Sequence, residues 1–247
     1  MEEKKPKTVL ITGSSSGIGA EIACKLSHNG YKVFITGRNN ERLESLSKKI
    51  SVAGYLSGDL HDKDFYKTLF TTAENTMGQV DILINNAGDY VWSPVEKTGE
   101  EDVVRLLRLN LEVPYNMCRL AVSGMKQRRW GRLINIGSIS GAVGEANASL
   151  YSASKAGLTG MTKALALELA EYGITVNIIN PGWVKTELAS DLFEQGVIDE
   201  SEQLEMIPQR RFIHPSEIAA LVNYLVSEDA KGITGQSMNI CAGLSLG

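Results

Sequence analysis

The chain has 247 residues, of which 43% are hydrophobic and 22% charged, and its formal net charge is −4 at pH 7. These values are typical of a globular protein with a substantial core, and the small charge argues against a nucleic-acid partner or an anionic membrane surface. No segment approaches the roughly 20 apolar residues that a membrane-spanning helix needs. The three cysteines and three histidines are dispersed, so we expect no metal site and a cytoplasmic protein.

Strand-like and helix-like segments alternate along the chain. Apolar runs predict seven strands, at residues 8–11, 32–36, 55–58, 80–84, 132–136, 174–179 and 237–240. Helical patterns follow the first loop up to residue 26 and cover residues 40–50, 62–77, 100–128, 150–172 and 215–227. Pro114 is expected to bend or break the longest of these helices. One or two short helices are expected between residues 183 and 214.

Strands that alternate with helices predict an α/β fold with a parallel sheet, because each right-handed crossover returns the chain to the side of the sheet from which the previous strand started. We therefore expect a seven-stranded, doubly wound sheet with helices on both faces. Ligands of such folds bind beyond the carboxyl ends of the strands. The motifs described next all follow predicted strand ends.

The first strand leads into a glycine- and serine-rich loop, TGSSSGIG at residues 12–19. Glycines let the backbone approach a pyrophosphate, and the N-terminus of the next helix presents free N–H groups to the anion. The G-x-x-x-G-x-G spacing differs from both the usual dinucleotide fingerprint and the P-loop. Its position between a strand and a helix favours nucleotide binding over a purely structural turn.

The second strand ends in Thr36-Gly37-Arg38-Asn39-Asn40, which indicates the kind of nucleotide. An acidic residue here would bind the ribose hydroxyls of NAD, whereas an arginine pairs with the 2′-phosphate of NADP. The segment holds Arg38 and no acid, so NADP(H) is predicted. Ser14 and Ser15 are expected to add hydroxyl contacts to that phosphate. The alternative is that Arg38 merely lies in solvent.

A tyrosine and a lysine lie four residues apart near the start of a predicted helix. This spacing places Tyr151 and Lys155 side by side on one helix face. Ser138 follows the fifth predicted strand. An exposed pair on an ordinary amphipathic helix fits the same spacing, so a catalytic interpretation depends on the other motifs.

Several motifs in register resemble the short-chain dehydrogenase/reductase family over nearly the whole chain. They are TGSSSGIG at residues 12–19, NNAG at 85–88, Asn110, Ser138, Tyr151 with Lys155, and Pro181-Gly182. The resemblance implies a single Rossmann-type domain over residues 1–247 and hydride transfer between NAD(P)(H) and a ketone or secondary alcohol. It also implies a homotetramer or homodimer, for which we expect the helices within 100–128 and 150–172 to form the interface.

The resemblance implies a catalytic tetrad of Asn110, Ser138, Tyr151 and Lys155. Tyr151 would donate a proton to the substrate oxygen, and the charges of Lys155 and the oxidised nicotinamide would lower its pKa from about 10. Ser138 would orient that oxygen. Lys155 would also hold the ribose hydroxyls, and Asn110 would support a water chain to solvent.

The cofactor contacts implied by the resemblance follow the carboxyl edge of the sheet. The glycine loop would bind the pyrophosphate, the turn after the third strand the adenine, the NNAG segment the ribose, and the loop after the sixth strand the nicotinamide. Together with Ser14, Arg38, Tyr151 and Lys155, the predicted cofactor residues are Gly13, Ser15, Gly17, Ile18, Gly19, Asp59, Leu60, Asn86, Ala87, Gly88, Pro181, Gly182, Val184 and Thr186.

The substrate loop is expected at about residues 188–212. Trp92, Ser140, Asn147 and Trp183 are expected near the mouth of the pocket, and Ser138, Ser140, Asn147, Tyr151 and Trp183 are the predicted substrate contacts. Tryptophan and leucine residues there suit an apolar ketone or an acyl chain, although they could equally pack a mobile lid.

Within the family, MKQRRWGRLINIGS and ITGQSMNICAG are similar to segments of 3-oxoacyl-(acyl-carrier-protein) reductases, which suggests a carrier-bound 3-oxoacyl thioester as substrate. Those enzymes usually carry a second basic residue where this chain has Tyr172, so that only Arg129 is present for docking a carrier. Two functions therefore remain: an NADP-dependent carbonyl reductase, and a catalytically silent dinucleotide-binding regulator or scaffold. The complete tetrad favours the reductase.

Exchanging Arg38 for a carboxylate tests the cofactor prediction. Arg38→Asp should weaken NADPH binding at least tenfold more than NADH binding, because the new charge repels the 2′-phosphate and leaves the rest of the cofactor unaffected. Fluorescence titration with both cofactors measures the ratio. An equal loss for both would show that Arg38 does not contact the phosphate.

Overall fold

Seven parallel strands form one sheet in the order β3-β2-β1-β4-β5-β6-β7 in a computed structural model, which describes residues 5–194, 196 and 198–246. The order reverses between β1 and β4, as in a doubly wound fold, and the α/β prediction is confirmed. The strands are β1 (Thr8–Ile11), β2 (Lys32–Gly37), β3 (Val52–Ser57), β4 (Ile82–Asn85), β5 (Gly131–Ile136), β6 (Ile174–Pro181) and β7 (Ser237–Ile240).

Helices connect successive strands. They are α1 (Gly17–His28), α2 (Asn40–Lys49), α3 (Phe65–Met77), α4 (Glu100–Leu107), α5 (Val113–Arg128), α6 (Ser140–Val143), α7 (Ser149–Leu169), α8 (Glu187–Glu194), α9 (Glu200–Met206) and α10 (Pro215–Leu225). The two short helices expected between residues 183 and 214 are α8 and α9. Among the helices of the described residues, none combines the length and apolarity needed to cross a membrane.

Two hydrophobic cores lie on opposite faces of the sheet. Along β1, Val9 and Ile11 belong to one core and Leu10 to the other, because successive strand side chains point to opposite faces. The first core packs the sheet against α1, α2 and α10, and the second packs it against α3, α5 and α7. Apolar burial on both faces explains why the strands are continuous hydrophobic runs.

Some element boundaries differ from the predictions. β3 begins at Val52, three residues before the expected start, and α3 begins at Phe65 instead of residue 62. Backbone N–H groups in the turn before α3 are held by Asp59 and Asp62, which keeps that segment out of the helix. β6 continues to Pro181 because it still pairs there with Ile240 of β7.

The helical segment predicted at residues 100–128 is interrupted just before Pro114, and Pro114 itself lies within the first turn of α5. A π-helical turn, Arg108–Glu112, joins α4 to α5, and the Val113 N–H donates to the Arg108 carbonyl. Pro114 has no N–H to donate to the carbonyl of Asn110, four residues earlier, so a regular α-helical ladder cannot run through this segment. The irregular turn therefore coincides with a predicted catalytic residue.

A buried column of polar side chains joins the centre of the sheet to α7. The Asn85 amide donates to Asn135 Oδ1 at 2.9 Å, and the Asn135 amide donates to Thr162 Oγ1 at 2.9 Å. All three residues are almost completely buried. An unmade hydrogen bond would be costly there, so the column fixes how α7 sits on β4 and β5.

Thr162→Val should lower the free energy of unfolding by about 1–3 kcal/mol, because it preserves shape but leaves the buried Asn135 amide without its acceptor. Chemical denaturation measures the change. Thr76→Val is the matched control, since the exposed Thr76 hydroxyl makes the same kind of bond to a carbonyl four residues earlier and receives no buried amide. Equal losses in the two variants would contradict a special role for the column.

Candidate active site

A cleft with a volume of about 340 Å³ lies at the carboxyl edge of the sheet, bounded by the segments after β4, β5 and β6 and by α8 and α9. It brings together side chains from widely separated parts of the chain. The predicted site residues that line it are Ile18, Asn86, Gly88, Ser138, Ser140, Tyr151, Lys155, Pro181, Gly182, Trp183, Val184 and Thr186.

The glycine loop packs closely against the segment after β4. A Cβ on Gly13 would lie 2.8 Å from the Ala87 Cα, and one on Gly19 would lie 2.3 Å from the Gly13 carbonyl oxygen. The Asn86 amide donates to the carbonyls of Thr12 and Gly13 at 3.0 and 2.8 Å. Asn86 therefore holds the loop in place, a contact that the sequence interpretation did not include.

The two serines of the loop face different ways. Ser14 is completely buried, and its hydroxyl donates to the carbonyls of Ile11 and Thr36. The predicted contact of Ser14 with the 2′-phosphate is therefore wrong, because this hydroxyl ties β1 to β2. Ser15 instead lies against Gly37, where an added Cβ would meet its Oγ at 2.7 Å.

Arg38 extends into solvent directly after β2. The neighbouring Arg42 pairs with Glu187 at the start of α8. Within the described residues, Arg38 forms no ion pair, so its guanidinium is available to an anion at the open end of the loop. Ser15, beside Gly37, faces the same region.

The predicted adenine contacts lie in the turn after β3. Asp59 is exposed, and its Oδ1 accepts a hydrogen bond from the His61 backbone N–H at 2.9 Å. The Leu60 side chain is buried in the core on the α3 side of the sheet, so only its backbone can face a ligand. Neither residue lines the cleft, and their contact with a cofactor stays a prediction.

Asn110 is buried in the π-helical turn and connects two segments of the site. Its amide donates to the Asp89 carbonyl at 2.9 Å and to Ser154 Oγ at 3.1 Å, and its Oδ1 accepts from the Asp89 N–H. A Cβ on Gly88 would lie 3.1 Å from this Oδ1 and 3.4 Å from the Lys155 Nζ. The Asn110 side chain thus positions the segment after β4, and its support of a water chain stays a prediction.

Ser138, Tyr151 and Lys155 all line the cleft. Lys155 is 95% buried, its Nζ donates to the Ile136 carbonyl at 3.0 Å, and it lies 5.6 Å from the centre of the Tyr151 ring. Gly141 lets the intervening segment pack on α7, since a Cβ there would lie 2.7 Å from the Lys155 carbonyl carbon. This close packing brings the end of β5 and the start of α7 to one point.

In the protein chain alone, burial is the largest influence on the pKa values of Tyr151 and Lys155. It raises the pKa of the Tyr151 phenol to about 12, and the negative charge of Glu145 adds to the rise, while the hydrogen bond with Ser138 opposes it. Burial also lowers the pKa of Lys155 to about 8. Desolvation is therefore the largest influence on the Tyr151 pKa in the protein chain alone, and the expected lowering by Lys155 together with the oxidised nicotinamide stays a prediction.

The sequence interpretation missed several lining residues, of which Glu145 and Tyr90 contact the predicted site. The Glu145 carboxylate accepts hydrogen bonds from Ser140 Oγ at 2.7 Å and from the Tyr90 hydroxyl at 2.6 Å. The Tyr90 ring meets the Tyr151 ring edge to face, with centroids 4.9 Å apart. The only signal in the sequence was an acidic residue within the small and apolar segment between Ser138 and Tyr151.

The structure brings only some of the predicted substrate contacts to the cleft. Ser140 and Trp183 line the cleft, and the Trp183 Nε1 donates to Gln203 of α9 at 2.8 Å. Asn147 is exposed with φ of +60°, and its carbonyl accepts from the Ser93 N–H, so the structure does not bring it to the cleft. Trp92 also lies outside the lining. Gln195 and Val197 of the predicted substrate loop are outside the described residues.

Known proteins share both the sequence pattern and this fold. Residues 7–196 match the family model described as short chain dehydrogenase. The chain is 36% identical to the 3-oxoacyl-[acyl-carrier-protein] reductase FabG of Buchnera aphidicola, covering 96% of this chain and 97% of the relative. It is 35% identical to D-beta-hydroxybutyrate dehydrogenase of Cupriavidus necator, with 96% and 97% covered. The crystal structure of an actinorhodin polyketide ketoreductase variant with NADPH matches with a TM-score of 0.93 and 34% identity over 99% of both chains.

The low pKa of Lys155 leads to a pH dependence of cofactor binding. If the Lys155 ammonium holds the cofactor ribose, a bound cofactor favours the protonated form of Lys155. The complex then keeps a proton on Lys155 that the free protein loses as the pH rises above the Lys155 pKa of about 8. NADPH affinity should therefore fall as pH rises from 8 to 9.5, by up to about tenfold per pH unit. Fluorescence titrations across this range measure it. Lys155→Met should bind more weakly and lack this slope, and identical slopes in the two proteins would contradict the contact.

Proposed function

Because the chain belongs to the short-chain dehydrogenase/reductase family, we propose that it transfers a hydride between NADP(H) and the C3 carbonyl of a 3-oxoacyl compound. The observation that carries the proposal is the convergence of Ser138, Tyr151 and Lys155 in one cleft beside the glycine loop. No feature of the described residues favours the catalytically silent alternative.

The residues at the open edge of β1 and β2 fit a dinucleotide. The Ser16 side chain does not cap α1, and the first turn of that helix carries no acidic residue, so its N–H groups and positive dipole end are available to a pyrophosphate. The exposed Arg38, with Ser15 beside it, supports NADP(H) over NAD(H). The solved structure with NADPH supports the same choice.

In the direction of ketone reduction, the bound cofactor supplies the hydride to the carbonyl carbon. Tyr151 donates its phenolic proton to the carbonyl oxygen, so that the carbonyl becomes a secondary alcohol and the tyrosine a phenolate that must be reprotonated. Its raised pKa keeps the proton in place at neutral pH until the oxygen gains negative charge. Ser138 orients the oxygen, and the Lys155 ammonium stabilises the phenolate.

The cleft supports a substrate with an apolar chain. Beyond the catalytic residues it is lined by Trp183, Leu192, Met206 and Leu244, of which two belong to α8 and α9. These helices lie within residues 188–212, which we propose as the substrate loop of a single-domain enzyme. The names of two relatives, a 3-oxoacyl-[acyl-carrier-protein] reductase and a D-beta-hydroxybutyrate dehydrogenase, both denote a compound with an oxo or hydroxyl group at C3, which supports the substrate unit proposed here.

We also propose a homotetramer or homodimer that works in the cytoplasm. Leu167 on α7 is 86% exposed and Tyr115 on α5 is 53% exposed, which supports these helices as an interface between copies. The three cysteines, Cys24, Cys118 and Cys241, are free thiols, which suits a reducing compartment.

A substrate screen tests the proposed reaction. The protein is mixed with NADPH and a panel of simple ketones, 3-oxoacyl esters and 3-oxoacyl thioesters, and oxidation of the cofactor is followed by absorbance. Turnover of the 3-oxoacyl compounds is expected. Tight NADPH binding without turnover of any carbonyl compound would contradict the proposal.

Removing the Tyr151 hydroxyl tests its role as the acid. Tyr151→Phe should reduce kcat at least a thousandfold while changing NADPH affinity less than threefold, because only the proton donor is lost. Steady-state kinetics and fluorescence titration measure the two effects. Tyr224→Phe, at a side chain 45% exposed on α10, is the matched control and should retain normal rates. Substantial activity of Tyr151→Phe would contradict the assignment.

A further inference from the structure

Glu145 lies in the cleft beside the reacting groups. Its carboxylate is held from two sides, by the hydroxyls of Ser140 and Tyr90. Each of these partners contacts a proposed catalytic residue: Ser140 Oγ accepts from Ser138 Oγ at 3.0 Å, and the Tyr90 ring packs on Tyr151. Two hydrogen bonds therefore fix a carboxylate one side chain away from Ser138 and from Tyr151, the residues proposed to bind the substrate carbonyl.

Among the residues that the structure describes, no cationic side chain forms an ion pair with Glu145. The other carboxylate in the cleft lining, Asp89, pairs with Arg105 at 2.6 Å and lies 3.1 Å from His61. The contacts of the Glu145 carboxylate with described residues are the hydrogen bonds from the two hydroxyls. The ammonium of Lys155 donates instead to the Ile136 carbonyl. Two neutral hydroxyls satisfy the oxygens of Glu145 without cancelling its charge.

The charge of Glu145 acts on the pKa values of two neighbouring tyrosines. Glu145 raises the pKa of Tyr90, in addition to the larger effect of burial, and it raises the pKa of Tyr151 across the cleft. A group that disfavours a negative charge on Tyr151 will also disfavour one on a substrate bound at the same place. The lining also includes the apolar side chains of Ile139, Val143 and Trp183, which supply no opposite charge.

We propose that Glu145 determines specificity by excluding substrates that carry a carboxylate one methylene group away from the reacting carbonyl. The cleft then accepts uncharged 3-oxoacyl derivatives, such as esters and thioesters, and rejects the corresponding free 3-oxo acids. This inference rests on the proposed ketone reduction and specifies which 3-oxoacyl compounds the cleft accepts. At the effective dielectric of a half-buried site, two like charges roughly 6–12 Å apart disfavour binding by roughly tenfold to a hundredfold.

The test compares an ester with its free acid, because the pair differs by little more than a charge. The kcat/KM values for methyl acetoacetate and acetoacetate, and for the methyl ester and free acid of 3-oxooctanoate, are measured with NADPH at pH 7. The wild-type protein should prefer each ester at least tenfold. Glu145→Gln, which removes the charge and keeps hydrogen-bonding groups, should reduce that preference at least tenfold.

The ratio separates the charge from general damage to the site. A changed orientation of Ser138 or a less stable fold alters the rates for ester and acid together and cancels in the ratio. Glu145→Asp, which keeps the charge, is the matched control and should retain the wild-type preference within about threefold.

Two results would overturn the inference: a wild-type protein that reduces acid and ester equally well, or an ester preference that is the same in Glu145→Gln. The first result requires no variant, so the inference can fail even if the variants do not fold. Failure of the proposed function is distinct, since it appears as no turnover of any carbonyl compound in the screen while NADPH still binds.

Discussion

The seating of α7 on the centre of the sheet is the constraint on which the site depends. The buried amides of Asn85 and Asn135 and the hydroxyl of Thr162 form one hydrogen-bonded column across β4, β5 and α7. A shift of the helix would leave these groups without partners in a region that water does not reach. The column therefore sets where Tyr151 and Lys155, about two to three turns earlier on α7, meet the segment that follows β5.

Desolvation gives that meeting point its chemistry. The same burial that makes a phenolate at Tyr151 unfavourable also makes the Lys155 ammonium unfavourable, so the two pKa values move to about 12 and about 8. Glu145 adds a fixed negative charge, which its hydroxyl partners hold but do not neutralise. The site thus keeps its acid protonated, and its electrostatic field is sensitive to any charge on the substrate.

Much of this arrangement could be predicted from local patterns. The parallel sheet, the glycine loop, the tyrosine and lysine one helical turn apart, and the short helices before α10 follow from periodicity, strand ends and spacing. Boundaries set by side chains were less predictable: the turn held by Asp59 and Asp62 delays α3. Ser14 looked like a ligand residue because hydroxyls suit phosphates, yet its hydroxyl joins two strands.

The sequence by itself determined the order of the elements and the chemical types at the strand ends, because both depend on residues close together in the chain. Only the tertiary structure decided which of those groups share an environment. Tyr90 meets Glu145 across 55 positions of sequence, and Asn147, two residues beyond Glu145, faces solvent. Burial and the contacts between distant segments set the pKa of Tyr151 and the charge of the cleft. Neither property can be predicted from residues that are close together in the sequence.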